Sequence, residues 1–541
     1  MSEVTAAHVV MLVANDVATD TRVKKEALAL AQSGLRVTVV GSASAGKSER
    51  SWLGPVEIVR VPVEFVIRDD EAREHSRTPP HLLDTGTEAK AGVRIAARER
   101  EVRGRSGLAV QRRSGGSLGT LLFKAGVAER QLERQMLRGK RFAARVHGGL
   151  SRKVQERRIK LEERHLTKAK EKLDRSRAVA VRWRTEHAEI LDYELAFGPV
   201  VDALKPDVLH AHDMHVIGIA AHARARARAA GRDVRWVYDA HEYVPGLSQY
   251  GGRTARVIEG WADLESEFIR DADRVITVSP AIADALHDRY QLASHPAVVL
   301  NIPTVDPPGV ERVRTLREVC GLGPDVTLLA YIGGMTRARG VHTAIEAMSL
   351  LPDAHLGLVC VPHNDTWFVR KLRQQVAEMG LGDRVHFVNP VGPGQVVDYL
   401  SGLDVGLIPG LSYPSHEMSL PNKLFEYLHA GVPIVGSELD SLGAFLRETG
   451  VGVTFPAEDA SGLAAAARTV LADHERFAAA AGDPALLARY SWTSQAEQLR
   501  AVYRELLGLA LAGAEPGGVA SAGGVATDEV VDLTETDLLP T

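Results

Sequence analysis

The chain is short of several things, and each shortage excludes a class of protein. It holds two cysteines, Cys320 and Cys360, in 541 residues. Two thiols cannot build a disulfide framework or a thiolate zinc site, and they fit a reducing cytoplasm. No stretch approaches the roughly 20 apolar residues that span a bilayer. The first apolar run, His8–Ala14, is only strand-length and follows no basic segment, which argues against a signal peptide. A cytoplasmic location is therefore expected. Net charge is nearly absent too: 65 basic against 69 acidic residues give −4, which predicts no polyanionic partner overall. What remains is ordinary globular material, 45% hydrophobic and 25% charged. At roughly 100–200 residues per domain, the length suggests two to four domains.

The small net charge hides an asymmetry. Lys90–Glu186 contains 28 basic and 10 acidic residues, so the rest of the chain is acidic. Residues 68–184 read as a basic, largely helical insertion. In it Leu121, Leu122, Val127, Leu132, Met136 and Leu137 fall near one helical face. One reading is a helical insertion packed on the N-terminal domain, with its charged face solvated. The other is an amphipathic element on an anionic membrane surface, using residues 90–186 and making the protein peripheral at the inner face. Nucleic acid is not expected, because Phe123, Phe142 and Trp183 are nearly the only aromatics there.

The rest alternates strand and helix. Strand His8–Ala14, helix Asp20–Ser33 and strand Arg36–Val40 begin a series that resumes at Tyr193 and reaches strand Arg274–Val278. Pro303, Pro307 and Pro308 mark a linker. A second series runs from strand Val326–Ile332 to strand Pro433–Gly436, with helices near Ala460–Ala472 and Ser494–Leu511. The rhythm predicts an α/β protein of two doubly wound, Rossmann-like parallel-sheet domains facing across a cleft. The N-terminal domain would comprise 1–67 and 185–303, the C-terminal domain 304–493, followed by a helix at 494–511. Residues 512–541, rich in Gly, Ala and acids, read as a disordered tail. Such sheets bind ligands at the carboxyl ends of their strands.

Two loud motifs are set aside. Gly41–Ser48 fits a phosphate-loop pattern, but Gly54 and Pro55 interrupt the helix that such a loop must open. Asp271 and Asp273 form a DxD pair, yet they sit in a turn before a strand, where acids are commonly solvated.

The informative stretch is Ser419–Gly443. Ser419 is a candidate N-cap, and Leu420, Pro421 and Asn422 open a helix. Lys423 and Glu426 then share a face of its first turns, suited to a diphosphate and a vicinal diol. An ordinary surface pair is the competing reading. In Tyr331–Met348 a strand enters Gly333 and Gly334, and Arg337 and Arg339 follow. In the N-terminal half, His212 and Asp213 end one strand and His241 follows another. Asn15, Asp16, Asp20 and Arg22 follow the first. A structural histidine is the alternative for each His.

Taken together, the segments DTRVKKEALALAQSGLRVTVV, PDVLHAHD, DAHE, ADRVITVSP, the GG…RG loop and PNKLFEYLHAGVPIV resemble the retaining glycosyltransferases of family 4, which have the GT-B fold. The resemblance covers roughly His8–Ser44 and Pro206–Leu511. It implies a nucleoside-diphosphate sugar held by the C-terminal domain, through Gly333, Gly334, Arg339, Ser419, Leu420, Asn422, Lys423 and Glu426, with the base near Val388, Asn389 and Pro390. It implies His241 beside the transferred sugar, so that His241, Arg339 and Lys423 form the catalytic set. A glycan, lipid-linked or small-molecule acceptor would lie near Asn15, Asp16, Asp20, Arg22, His212 and Asp213. Retention of configuration, and no metal or other cofactor, are also implied. Two positions depart from the family: Met418 stands where the first glutamate of its E-x7-E element falls, and Gly334 where an arginine is common. An inactive scaffold or membrane-associated subunit, and a sugar-nucleotide epimerase, are the competing readings.

Overall fold

The structure, a computed structural model, describes residues 6–44, 46–69, 183–249, 253–305, 313–508 and the backbone of 531–533. Most of the basic insertion and of the proline linker lies outside the described residues.

The N-terminal sheet has the order β15-β3-β4-β2-β1-β5-β6-β7-β8. Its strands are β1 (His8–Leu12), β2 (Arg36–Ser42), β3 (Ser48–Leu53), β4 (Val56–Val61), β5 (Val208–His212), β6 (Arg235–Ala240), β7 (Arg274–Thr277), β8 (Ala297–Val298) and, at one edge, β15 (Val531–Leu533). From β4 to β8 every pairing is parallel; β3 and β15 add antiparallel edges. The parallel strands are buried on both faces, which is why β1 reads as a continuous rather than an alternating apolar run and why even the two histidines of β5 are buried. The C-terminal sheet is wholly parallel, in the order β11-β10-β9-β12-β13-β14. Its strands are β9 (Thr327–Gly334), β10 (Ala354–Val361), β11 (Val385–Val388), β12 (Val405–Ile408), β13 (Ile434–Ser437) and β14 (Gly452–Phe455).

Helices cover both faces of each sheet, giving two core layers per domain. Helix Thr21–Gln32 shows the local logic. Asp20 caps it through Val23 N, and Val23, Ala27 and Leu30 recur at helical spacing to form the stripe buried on the sheet. The last long helix, Trp492–Leu507, belongs to the N-terminal domain. Its Leu499, Val502 and Tyr503 join the core layer of β1 and β2, and Arg500 donates to the Ala29 carbonyl.

The two decoy motifs resolve as turns. Ser48 begins β3, not a helix, so Gly41–Ser48 has no helix N-terminus to offer a phosphate. Asp273 accepts hydrogen bonds from Trp236 N and Arg224, and the Asp271 carbonyl accepts from Trp236 Nε1. Within the tail, Val531–Leu533 pairs antiparallel with β3, and the rest of 512–541 lies outside the described residues. Helices Pro280–Tyr290, Pro414–Met418 and Asp440–Thr449 and strand β14 are additions to the predicted pattern.

Candidate active site

The loops after β9 and β12 build one wall of the cleft. Tyr331 lies inside β9. Its hydroxyl donates to the Gly334 carbonyl and accepts from Lys423 Nζ at 3.3 Å, and the ammonium lies 4.4 Å from the ring centre. Gly333 is needed here: its φ is +134°, and a Cβ would lie 3.0 Å from Lys423 Nζ. Gly334 instead faces open space. After a single turn, Arg337–Arg339, the chain passes Gly340 at φ +67° and enters helix Val341–Ala347. A Cβ at Gly340 would stand 1.7 Å from the Pro409 carbonyl oxygen. Leu411 N also bonds the Ala338 carbonyl, so the loop carrying Arg339 is stitched to the loop after β12. Gly340→Ala is therefore expected to cost about 4 kcal/mol or more, because backbone rather than a mobile side chain must yield. Thermal melting of the purified variant checks it; a melt within a few degrees of wild type would mean that the stitch is soft.

Arg339 and Lys423 line the same pocket, whose atom-free space is about 400 Å3 with the open solvent at its mouth included. Its other polar side chains are Tyr331, His416 and Ser419; Ile408, Pro409, Leu439 and Leu442 supply apolar walls. No carboxylate is among the lining residues. Burial and the nearby Arg339 hold the Lys423 ammonium well below the usual lysine range. Glu426 lies one turn deeper, outside the lining. Burial raises its carboxyl, against Lys423 and, from the N-terminal domain, Lys25.

The sequence expectations around this pocket hold unevenly. Helix Asn422–His429 begins after Pro421 and has no side-chain cap; Ser419 Oγ donates back to the Ser415 carbonyl. Ser419 is thus a wall residue rather than an N-cap. Leu420 packs on the C-terminal core, and Asn422 is exposed outside the pocket. Val388, Asn389 and Pro390 share the sheet edge but do not line the pocket. Asn389 Oδ1 accepts from Asn364 N in the loop after β10. Glu417 does not substitute for a carboxylate at 418, since Ser412 Oγ and Asp440 N engage its two oxygens. Met418 packs against the N-terminal core, and its carbonyl accepts from Ser279 Oγ at 2.6 Å, so this position joins the domains.

On the facing domain, Asp239 is the pivot. It is fully buried at the end of β6. Arg22 grips both its oxygens, at 2.8 and 2.7 Å, and also reaches the Val299 carbonyl and Glu26. His212 Nδ1 and His241 Nε2 lie 3.1 and 3.2 Å from Asp239 Oδ2. Burial alone would lower His241; Asp239 overrides it and raises the imidazole to about 9. His241 is partly exposed, and the carboxyl of neighbouring Glu242 feels both Arg253 and, across the cleft, Arg339. The ligand atoms of Glu26, His210, His212 and Asp239 all lie within 4.8 Å of one another. Arg22 already occupies both Asp239 oxygens, so this charge balance is closed by a guanidinium.

Two of the expected acceptor residues need correction. Arg22 and His212 are buried, and both serve Asp239. Asn15, Asp16 and Asp20 shape their own loop: Asn15 Oδ1 accepts from Val17 N, Asn15 Nδ2 donates to Asp20, and Asp16 accepts from Ala18 N. Asp213 keeps exposed surface at the end of β5. Its backbone is held at φ +67° and ψ 165°, a region seldom occupied by residues with a side chain and often found at functional sites. Residues that the sequence reading missed are Lys25, Tyr331, Asp239 and His416.

Two family profiles match the chain, Glycosyl transferases group 1 over residues 327–473 and Glycosyltransferase Family 4 over 138–302. The chain belongs to the GT-B glycosyltransferases. The second match begins inside the segment read as an insertion. This glycosyltransferase is 26% identical over 289 residues to a D-inositol 3-phosphate glycosyltransferase of Corynebacterium urealyticum, a match covering 51% of this chain and 66% of that protein. It is 28% identical over 310 residues to a glycogen synthase of Mycobacterium tuberculosis, covering 55% and 69%. The chain thus matches only about two thirds of these curated relatives' own length. A sucrose-phosphate synthase structure from Thermosynechococcus elongatus superposes with a TM-score of 0.59 at 16% identity, covering 93% of this chain and 99% of that one, and shows the shared fold. Among the described residues, no helix is long and apolar enough to cross a membrane.

Proposed function

We propose that this glycosyltransferase moves a sugar from a nucleoside diphosphate to a glycan, lipid-linked or small-molecule acceptor held on the N-terminal domain, with retention of configuration. The observation that carries the reading is the shared pocket of Arg339 and Lys423, with no carboxylate in its lining. Expelling a nucleoside diphosphate from an anomeric carbon develops negative charge on the leaving oxygens, and preorganised cations stabilise that charge as it forms. The N-terminus of helix Asn422–His429 adds its dipole in the same direction. Glu426, one turn deeper, is suited to accept hydrogen bonds from the ribose hydroxyls. His241 faces the same cleft as a cation at neutral pH, so it orients or polarises the sugar rather than acting as a base. Retention rests on the family resemblance. Neither the scaffold nor the epimerase reading has an observation in its favour.

Melting with UDP-, GDP- and ADP-sugars tests the donor class. The matching ligand at 100 times its dissociation constant adds roughly 2.7 kcal/mol of stability; no shift with any of them would remove the donor from the account. Because protein cations neutralise the leaving group in this reading, turnover is expected to survive excess EDTA. A loss restored by a divalent cation would show that the cations of the pocket do not suffice.

A further inference from the structure

His416 was absent from the sequence expectations, yet it lines the diphosphate pocket together with Arg339 and Lys423. It sits in the short helix Pro414–Met418, held between the domains by the Ser279–Met418 hydrogen bond. Its Nδ1 lies 2.8 Å from the Leu411 carbonyl oxygen. A carbonyl only accepts, so the proton of the neutral ring is on Nδ1 and the lone pair is on Nε2. An oxyanion held by Arg339 and Lys423 would then share the pocket with the lone pair of His416. A proton on Nε2 turns that repulsion into a charge-assisted hydrogen bond.

We propose that His416 Nε2 takes up a proton from solvent when the donor's diphosphate enters this pocket, making the imidazolium a conditional third cation beside Arg339 and Lys423. This rests on the function proposed above. The proton returns to solvent when the nucleoside diphosphate departs, so donor affinity, and with it donor retention, is coupled to pH.

The surroundings of the ring favour this direction. Arg339 acts on it from the loop after β9 and Lys423 from helix Asn422–His429, where Lys423 donates to the Tyr331 hydroxyl. On its own helix, Glu417 is engaged by Ser412 and Asp440 N, and the Tyr413 ring packs edge-on at 5.4 Å. From the other domain comes Glu242, whose carboxyl is raised by burial and by Asp213, with Arg253 and Arg339 opposing. Burial, and then the two cations, keep the empty-pocket imidazole below its ordinary range. A bound dianion cancels the cationic part of that effect and pulls the proton on. Affinity therefore falls as pH rises from the empty-pocket pKa to the bound-state pKa, by at most about tenfold per pH unit for one proton.

The test uses UDP-glucose, whose diphosphate is esterified at both ends and keeps its charge across this range, with GDP-mannose and ADP-glucose as substitute probes. Calorimetric binding in two buffers of different ionisation heat gives the net proton uptake. Lys423 also titrates on binding, so the reading is a difference between proteins. His416→Asn keeps an amide to donate to Leu411 but has no Nε2; His416→Gln places a non-titrating amide near the Nε2 position. Wild type is expected to take up more protons than either variant, and the dependence of its affinity on pH is expected to be steeper. Equal uptake and equal slopes in wild type and variants would overturn the inference while leaving the donor assignment intact. Failure of all three sugar nucleotides to bind wild type would overturn both. Should the variants not fold, the inference is decided on wild type labelled with 15N in histidine. A ring Nε2 signal moving from the neutral to the protonated position on adding UDP-glucose supports it, and no such movement overturns it.

Discussion

Lys423→Ala is expected to lower turnover by about two to three orders of magnitude, the cost of removing one preorganised group that faces developing charge. The same change should leave the unliganded protein at least as stable as wild type. The ammonium has Tyr331 as its hydrogen-bond partner and makes no ion pair among the described residues. Burial and Arg339 depress it. A lysine with a folded-state pKa below its unfolded value binds fewer protons when folded. It therefore costs stability at neutral pH, and the cost fades as pH rises toward the ordinary lysine range. Removing the side chain removes the cost, and a bound diphosphate offsets it. Wild type and variant melted with and without a saturating UDP-, GDP- or ADP-sugar separate these effects: the variant should lose most of the ligand-induced shift. A variant that is stabilised by ligand as strongly as wild type would place the diphosphate elsewhere.

The backbone architecture could be read from the sequence because parallel strands are buried on both faces and their helices are long enough to show a stripe. β1 and β9 carry nearly continuous apolar runs, and helix Thr21–Gln32 falls where the pattern placed it. The pairing of Arg339 with Lys423 was legible only through the family resemblance, since the strand-end pattern by itself left Arg337 and Arg339 equivalent. His416 was not, since a helix of five residues, Pro414–Met418, is too short to show any period. Asp239 lies inside a strand and looks like one polar residue among apolar neighbours; only the fold brings Arg22 to it, from 217 positions away. That distance explains why Arg22 looked like a surface residue at a ligand edge, and His212, 27 positions from Asp239 on the neighbouring strand, was placed there for the same want of a visible partner. Met418 stood out as a departure from the family, but its contact with the N-terminal core depends on how the domains meet.

The second large effect concerns Asp239. Its carboxylate sits far below the usual range because, although burial opposes ionisation, Arg22 and the two histidines favour it more. Asp239→Asn leaves Arg22 buried with Glu26 as its remaining acid. The expected loss of stability is roughly 3–5 kcal/mol, as for a buried pair that loses one partner. It also removes the charge that keeps His241 protonated. Since Nε2 faces Asp239, the other proton of the imidazolium is on Nδ1, the nitrogen left to meet substrate. Wild-type turnover is therefore expected to decline on the alkaline side near pH 9, where His241 discharges. In Asp239→Asn that limb should move toward the ordinary histidine range. The stability sign follows the same group. His241 is raised in the folded state, so its contribution is complete below the unfolded histidine pKa and is lost as pH climbs to about 9. Lys423 acts in the opposite direction and starts from neutral pH. In Lys423→Ala the alkaline decline in melting temperature should thus be steeper than in wild type. An alkaline limb that stays in place when Asp239 becomes Asn would mean that His241 does not set it, and the buried Arg22–Asp239 pair would then be scaffolding only.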